Sequence, residues 1–151
     1  MATILEQSKR LKKLTPNVVV SQIFQAIKDS REELIKRNKR QLTKGEDIFG
    51  DIVGTYAKST QGHADRDGIP TPKKEGEPYN FIWFGDLFDG FDLEVTKDTA
   101  TIFSTGVGSG DKKEFLTESN LFGLNDDNLK EVIRKDVLPF IQKYAKNVIG
   151  I

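Results

Sequence analysis

Three groupings of side chains in this sequence have types and spacings that bear on catalysis or ligand binding. His63 stands two and four residues ahead of Asp65 and Asp67, the makings of a base or a metal site. A working histidine needs a fixed position and a partner on its second nitrogen. The glycine- and proline-rich surroundings supply neither, so the single histidine reads as a solvated loop residue. Asp86, Asp89, Asp92 and Glu94 gather enough carboxylates to suggest calcium, but without the alternating oxygen ligands and distal glutamate of an EF-hand loop. Asp92 and Glu94 fall on the polar face of a strand, and Asp86 and Asp89 suit turns or caps. Gly106-Val-Gly108-Ser-Gly110 has the glycine density of a phosphate loop. It lacks both the GxxxxGK(S/T) pattern and a following parallel βαβ unit, and reads as a linker. The absence of cysteine excludes disulfides, thiolate metal sites and thiol catalysis. The expectation is therefore a protein that is not an enzyme, with no cofactor, no metal and no small-molecule substrate.

Charge points elsewhere. The net charge is zero, yet residues 1–44 hold 11 Lys/Arg against 4 Asp/Glu, and residues 45–151 hold 12 against 19. Opposite surfaces on copies of one chain attract, so this asymmetry predicts interaction. The competing reading folds the basic segment back on the acidic body of the same molecule. The candidate interaction residues are Lys9, Arg10, Lys12 and Lys13 near the N-terminus, and Lys36, Arg37, Lys39, Arg40 and Lys44 further on. No aromatic residues interleave the second group, which argues against base-specific nucleic-acid recognition. The bland reading of Lys36 to Lys44 is solvated cations complementing the negative end of a helix, and the functional one is contact with an acidic neighbour or with nucleic-acid phosphates. No apolar run approaches the roughly 18 residues of a membrane span. The N-terminus also lacks the apolar core of a secretory leader.

The elements carrying these residues follow from periodicity and caps. Residues 1–14 read as a flexible basic arm. Residues 15–151 read as a single α+β domain: a long N-terminal helix packed on a small antiparallel sheet, with a kinked C-terminal helix. Thr15-Pro16 is a helix start, with the proline where its missing N–H costs nothing. From Val20 to Leu42 apolar residues keep a three-to-four-residue period, which predicts one helix of nearly thirty residues ending at Gly45. Residues 46–56 suggest a turn and a strand, and residues 59–80 a long irregular loop with three of the five prolines. Residues 79–91 hold six of the fourteen aromatics. Of these, Phe81, Trp83, Phe84, Phe88 and Phe91 are the expected core anchors. Alternation at 91–96 and again at 100–103 predicts a hairpin turning at Lys97-Asp98. A short helix is expected over 112–119. Asn125 caps a last helix, which Pro139 should kink near Lys135 and Asp136.

Three stretches together resemble a known class. They are Gln41-Leu-Thr-Lys-Gly-Glu-Asp-Ile-Phe-Gly50 after a long helix, Trp83-Phe-Gly-Asp-Leu-Phe-Asp-Gly-Phe91 before a strand pair, and Leu121-Phe-Gly-Leu-Asn-Asp-Asp-Asn128 opening the last helix. In order, over roughly residues 17–145, the pattern resembles small structural-module proteins of tailed phages and prophages. Among these it resembles most the tail-completion family, the neck or head–tail connector proteins. The resemblance implies a virion structural protein, assembled in the host cytoplasm as a ring oligomer with copies of itself and other virion proteins. A channel-lining basic helix end would also imply non-specific contact with packaged DNA. The 59–80 loop and the basic arm depart from the family pattern. The rival reading is a small non-catalytic binding or regulatory module acting on another protein.

Overall fold

The computed structural model describes residues 3–106 and 119–151. It is α+β, with a two-stranded antiparallel sheet set among helices. The glycine linker beyond Gly106 and nearly all of the helix expected over 112–119 lie outside the described residues. The segment read as a flexible arm is helical in α1 (Ile4–Leu11). Thr3 and Glu6 cap it reciprocally, each side chain bonding the other's backbone N–H.

The single long helix expected from Pro16 to Leu42 is two: α2 (Pro16–Asp29) and α3 (Arg31–Thr43). Thr15 caps α2 as expected, its hydroxyl accepting from the Val18 N–H at 3.3 Å. The break is one residue wide, at Ser30, with φ −90° and ψ 13°. Asp29 and Ser30 are weak helix formers, and a straight helix of that length would outrun so small a core. The bend keeps both halves seated on β1 (Phe91–Val95). Arg31 pins the joint by bonding Asp92 at 2.6 Å.

Past α3, Gly45 turns the chain at φ 81°, and a Cβ there would stand 2.7 Å from Pro78 Cβ and 2.8 Å from Tyr79 O. Gly45→Ala should therefore cost about 2 kcal/mol or more, from left-handed backbone and close backbone approach together. A thermal melt checks it. The strand expected within 46–56 reduces to isolated bridges, Glu46 with Ile52 and Thr55 with Pro78. The expected loop at 59–80 contains α4 (Lys58–Arg66), so His63 sits on an exposed helix face rather than in a loop.

α5 (Asp86–Asp89) leads into the hairpin, where β1 pairs with β2 (Ala100–Ser104) in the register Leu93 opposite Ile102. Four of the five expected anchors are buried or half-buried. Phe81 and Phe91 lie in the core, Phe88 packs against it, and Trp83 is half-buried. Phe84 is the exception, 70% exposed, because Gly85 at φ 99° swings the chain outward before α5 begins.

Asn125 caps α6 (Asp126–Val132), accepting from the Asn128 N–H at 3.1 Å. A π-helical stretch, Ile133–Val137, joins it to α7 (Leu138–Ile149). Pro139 cannot donate to the carbonyl of Lys135 and its ring crowds that oxygen, so the backbone widens there and the helix is kinked. The resulting rod of residues 126–149 reaches up to about 35 Å at 1.5 Å per residue. α1 and α2 lie against its C-terminal half, and Val132 and Val137 point into the core shared with Leu34, Leu42, Phe91 and Leu121.

Candidate functional site

α3 carries the basic candidates on more than one face. Lys36, Arg40 and Lys44 are exposed and, among the described residues, make no ion pair. Lys39 folds over the Phe91 ring, its Nζ 5.6 Å from the centroid. Lys36 and Lys39, with Arg31, Glu32, Ile35 and Phe91, border a shallow groove of about 390 Å³.

Arg37 belongs to a different arrangement and is not available to a partner. Its side chain is largely covered and bonds Glu131 of α6 at 2.5 Å, while Nε lies 2.7 Å from Glu33 without hydrogen-bond alignment. Glu131 also accepts from Lys135. These bonds, Lys135 first and Arg37 second, pull the Glu131 carboxyl down to about 2 and hold the Arg37 guanidinium charged. The fold-back reading of the charge asymmetry thus holds for Arg31 and Arg37, and among the described residues leaves Lys36, Arg40 and Lys44 unpaired.

The N-terminal candidates cluster at one end of the molecule. Arg10 reaches the C-terminus of α7, donating to Ile149 O at 3.5 Å and lying over Gly150, where a Cβ would come within 2.1 Å of it. Lys9, Lys12 and Lys13 are exposed beside it. α1 buries none of its residues, and its apolar Ile4 and Leu5 are 86% and 66% exposed.

At the other end of the rod the turn at 46–53 lies beside the start of α6. Ile48 N donates to Asn120 O at 2.9 Å, and Ile48 packs against Gly123. Asp47 organises the turn by accepting from Phe49 N at 2.8 Å and Asp51 N at 3.0 Å. Phe49 stands out from it, 69% exposed, with Ile52 and Val53 also exposed. Asp51 belongs to this turn, and exposed Asp126 and Asp127 follow Asn125, whose Nδ2 lies 3.9 Å from where a Cβ on Gly50 would stand.

A separate polar cluster orders the 57–80 segment. Lys73 is 3% exposed, with its Nζ bonded to Asn80 Oδ1 and 5.4 Å from the Tyr56 ring centroid. Burial without a carboxylate partner pulls its pKa down to about 8. Asn80 Oδ1 also accepts from the Tyr56 hydroxyl at 2.9 Å, and that hydroxyl accepts from Asn80 N at 2.8 Å. Phe81, next in the chain, is the described non-glycine residue with positive φ, 55°. These bonds clasp the segment, tying Lys73 and Asn80 to Tyr56.

Two residues that the charge and aromatic patterns passed over hold the centre together. Asn38 donates to Leu121 O at 3.0 Å and accepts from Gly123 N at 3.1 Å. Gln41 donates to Asp47 O at 2.8 Å and to Gly123 O at 3.3 Å, and accepts from Asn125 N at 2.9 Å. Both side chains are fully buried. Their helical phase with Leu34, Ile35 and Leu42 was the available signal: a polar residue on the buried face of an amphipathic helix is expected to be hydrogen-bonded. Among the described residues no three carboxylates, histidines or cysteines converge to hold a metal ion, and no helix is long and apolar enough to cross a membrane. Comparison with known protein families, with characterised proteins and with solved structures gives no match.

Proposed function

We propose that this chain is a non-catalytic assembly subunit of a tailed-phage virion, a neck or head–tail connector protein of the tail-completion kind that works as one copy in a ring. The observation that carries this reading is the ridge of Lys36, Arg40 and Lys44, without an ion pair among the described residues, on a chain whose residues 45–151 carry an acidic excess. Exposed cations gain little from folding, but they steer association with a surface of opposite sign. A contact between two different faces of identical subunits closes into a ring when the rotation permits. The same ridge, turned to a channel, would meet DNA through phosphates without reading sequence.

The test is Lys36→Glu, Arg40→Glu and Lys44→Glu together, with Arg37 left intact because it anchors α6. The melting temperature should fall by no more than several degrees with a single cooperative transition: Lys36 is an exposed mid-helix position worth about 0.5 kcal/mol or less, while Arg40 in the last turn of α3 and Lys44 at its C-cap each forfeit about 0.3–1 kcal/mol against the helix dipole. Incorporation into purified particles, and co-assembly with the adjoining virion proteins, should be lost. Unchanged incorporation would remove the charge argument. A wild-type chain that stays monomeric at high concentration and is missing from particles would leave the rival reading, a small binding or regulatory module.

A further inference from the structure

Two exposed apolar surfaces lie at opposite ends of the 126–149 rod. One is α1, with Ile4 and Leu5 bare and Lys9, Lys12 and Lys13 alongside. The other is the tip of the 46–53 turn, with Phe49 and Ile52 bare, Asp51 in the turn, and Asp126 and Asp127 at the adjoining start of α6. Each pairs apolar side chains with an excess of one sign of charge, and the two signs are opposite: in α1 the exposed acidic residue is Glu6, held in the cap with Thr3. Exposed large apolar groups rimmed by polar ones mark interaction surfaces. Within one molecule they cannot meet: α1 is tied to the C-terminal end of α7 through Arg10, while the turn is tied to the start of α6 through Ile48 and Gln41.

We infer that α1 of one copy docks on the Phe49–Ile52 tip of a second copy, head to tail. This rests on the assembly reading above and names the contact that would propagate it. Leu5 and Ile4 would cover Phe49 and Ile52, and Lys9, Lys12 and Lys13 would face Asp51, Asp126 and Asp127. Because the two patches sit at opposite ends of the rod, each docked pair leaves one patch of each kind free. That is the geometry of a ring or filament rather than of a closed two-fold dimer. A basic amphipathic helix also suits an anionic membrane. The acidic apolar tip has no role there and would be repelled by such a surface, whereas a second copy uses both.

The chain has no cysteine, so introduced thiols report without interference. Leu5→Cys in one preparation and Phe49→Cys in another, mixed and treated with a short bis-maleimide, should give a cross-linked dimer. The yield should exceed that of Leu5→Cys mixed with Thr101→Cys by at least about tenfold, because docking raises the local concentration of the partner thiol. Adding Asp126→Lys and Asp127→Lys to the Phe49→Cys chain should erase the excess. All five altered positions are exposed, and circular dichroism melts confirm that each variant folds. Equal yields from the two mixtures would overturn the pairing. So would binding of the wild-type chain to phosphatidylglycerol vesicles that Leu5→Ser abolishes, which assigns α1 to a membrane. Cross-linking that fails while particle incorporation persists rejects this contact and leaves the assembly reading standing. Cross-linking that succeeds in a chain absent from particles does the reverse.

Discussion

Gln41→Leu is expected to lower the unfolding free energy by about 3–5 kcal/mol, the sum of several buried polar groups each left without a partner at about 1–3 kcal/mol. The amide of Gln41 sits where α3, the 46–53 turn and the start of α6 converge. Its nitrogen serves Asp47 O and Gly123 O, and its oxygen serves Asn125 N and the Asn128 side chain at 3.3 Å. Leucine fills the volume but satisfies none of these. Removing one side of a satisfied buried network costs more than the network's net contribution, because the desolvated remainder stays behind. Gln41→Glu separates charge from shape: a carboxylate can still accept from Asn125 N but meets two carbonyl oxygens with no proton to offer, so it should also destabilise. Urea unfolding measures both. A loss under about 1 kcal/mol with an unchanged m-value would show that water replaces the amide at no great cost.

Lys73→Met has the opposite sign, raising the unfolding free energy at pH 7 by about 1–2 kcal/mol. Methionine keeps the length and apolar stem of lysine while removing a buried charge that has no ion pair among the described residues. Asn80 Oδ1 retains the Tyr56 hydroxyl and the Ile82 N–H, at 2.9 and 3.1 Å. The pH dependence follows from the direction of the shift. The lysine's pKa falls from 10.5 to about 8 on folding, so between those values the unfolded chain holds more protons. Stability of the wild type therefore rises with pH across that window, and the advantage of the variant shrinks. Below pH 8 the advantage stays level. Urea midpoints at pH 7 and pH 10 read it directly. A variant less stable than wild type at pH 7 would mean that the lysine's bond to Asn80 and its contact with the Tyr56 ring outweigh the cost of burying it.

These two residues also show where pattern reading stops. Gln41 lies in phase with Leu34 and Leu42, so its burial was legible; the identity of its partners, 6 to 87 residues away, was not. Lys73 sits in a stretch that reads as polar loop, and nothing local marks it as covered. Arg37 looked like its neighbours Lys36 and Arg40, and only the approach of α6 turned it from a surface cation into an anchor for Glu131.

Short-range physics accounts for what the residues announce unaided. Thr15-Pro16 and Asn125 begin helices because their side chains and missing donors act within one turn. The 91–104 hairpin follows from a two-residue alternation, and Pro139 distorts the turn that precedes it. Each depends on neighbours a few positions away. The bend at Ser30, the helix at 58–66 and the compensation of some α3 cations but not others depend on the whole packing. A helix stays straight only where the core runs beneath it, and a charge is free only where no distant carboxylate reaches it. Composition showed that charge is segregated along the chain. Tertiary structure decided which cations remain unpaired, and set the apolar basic and apolar acidic surfaces at opposite ends of the molecule.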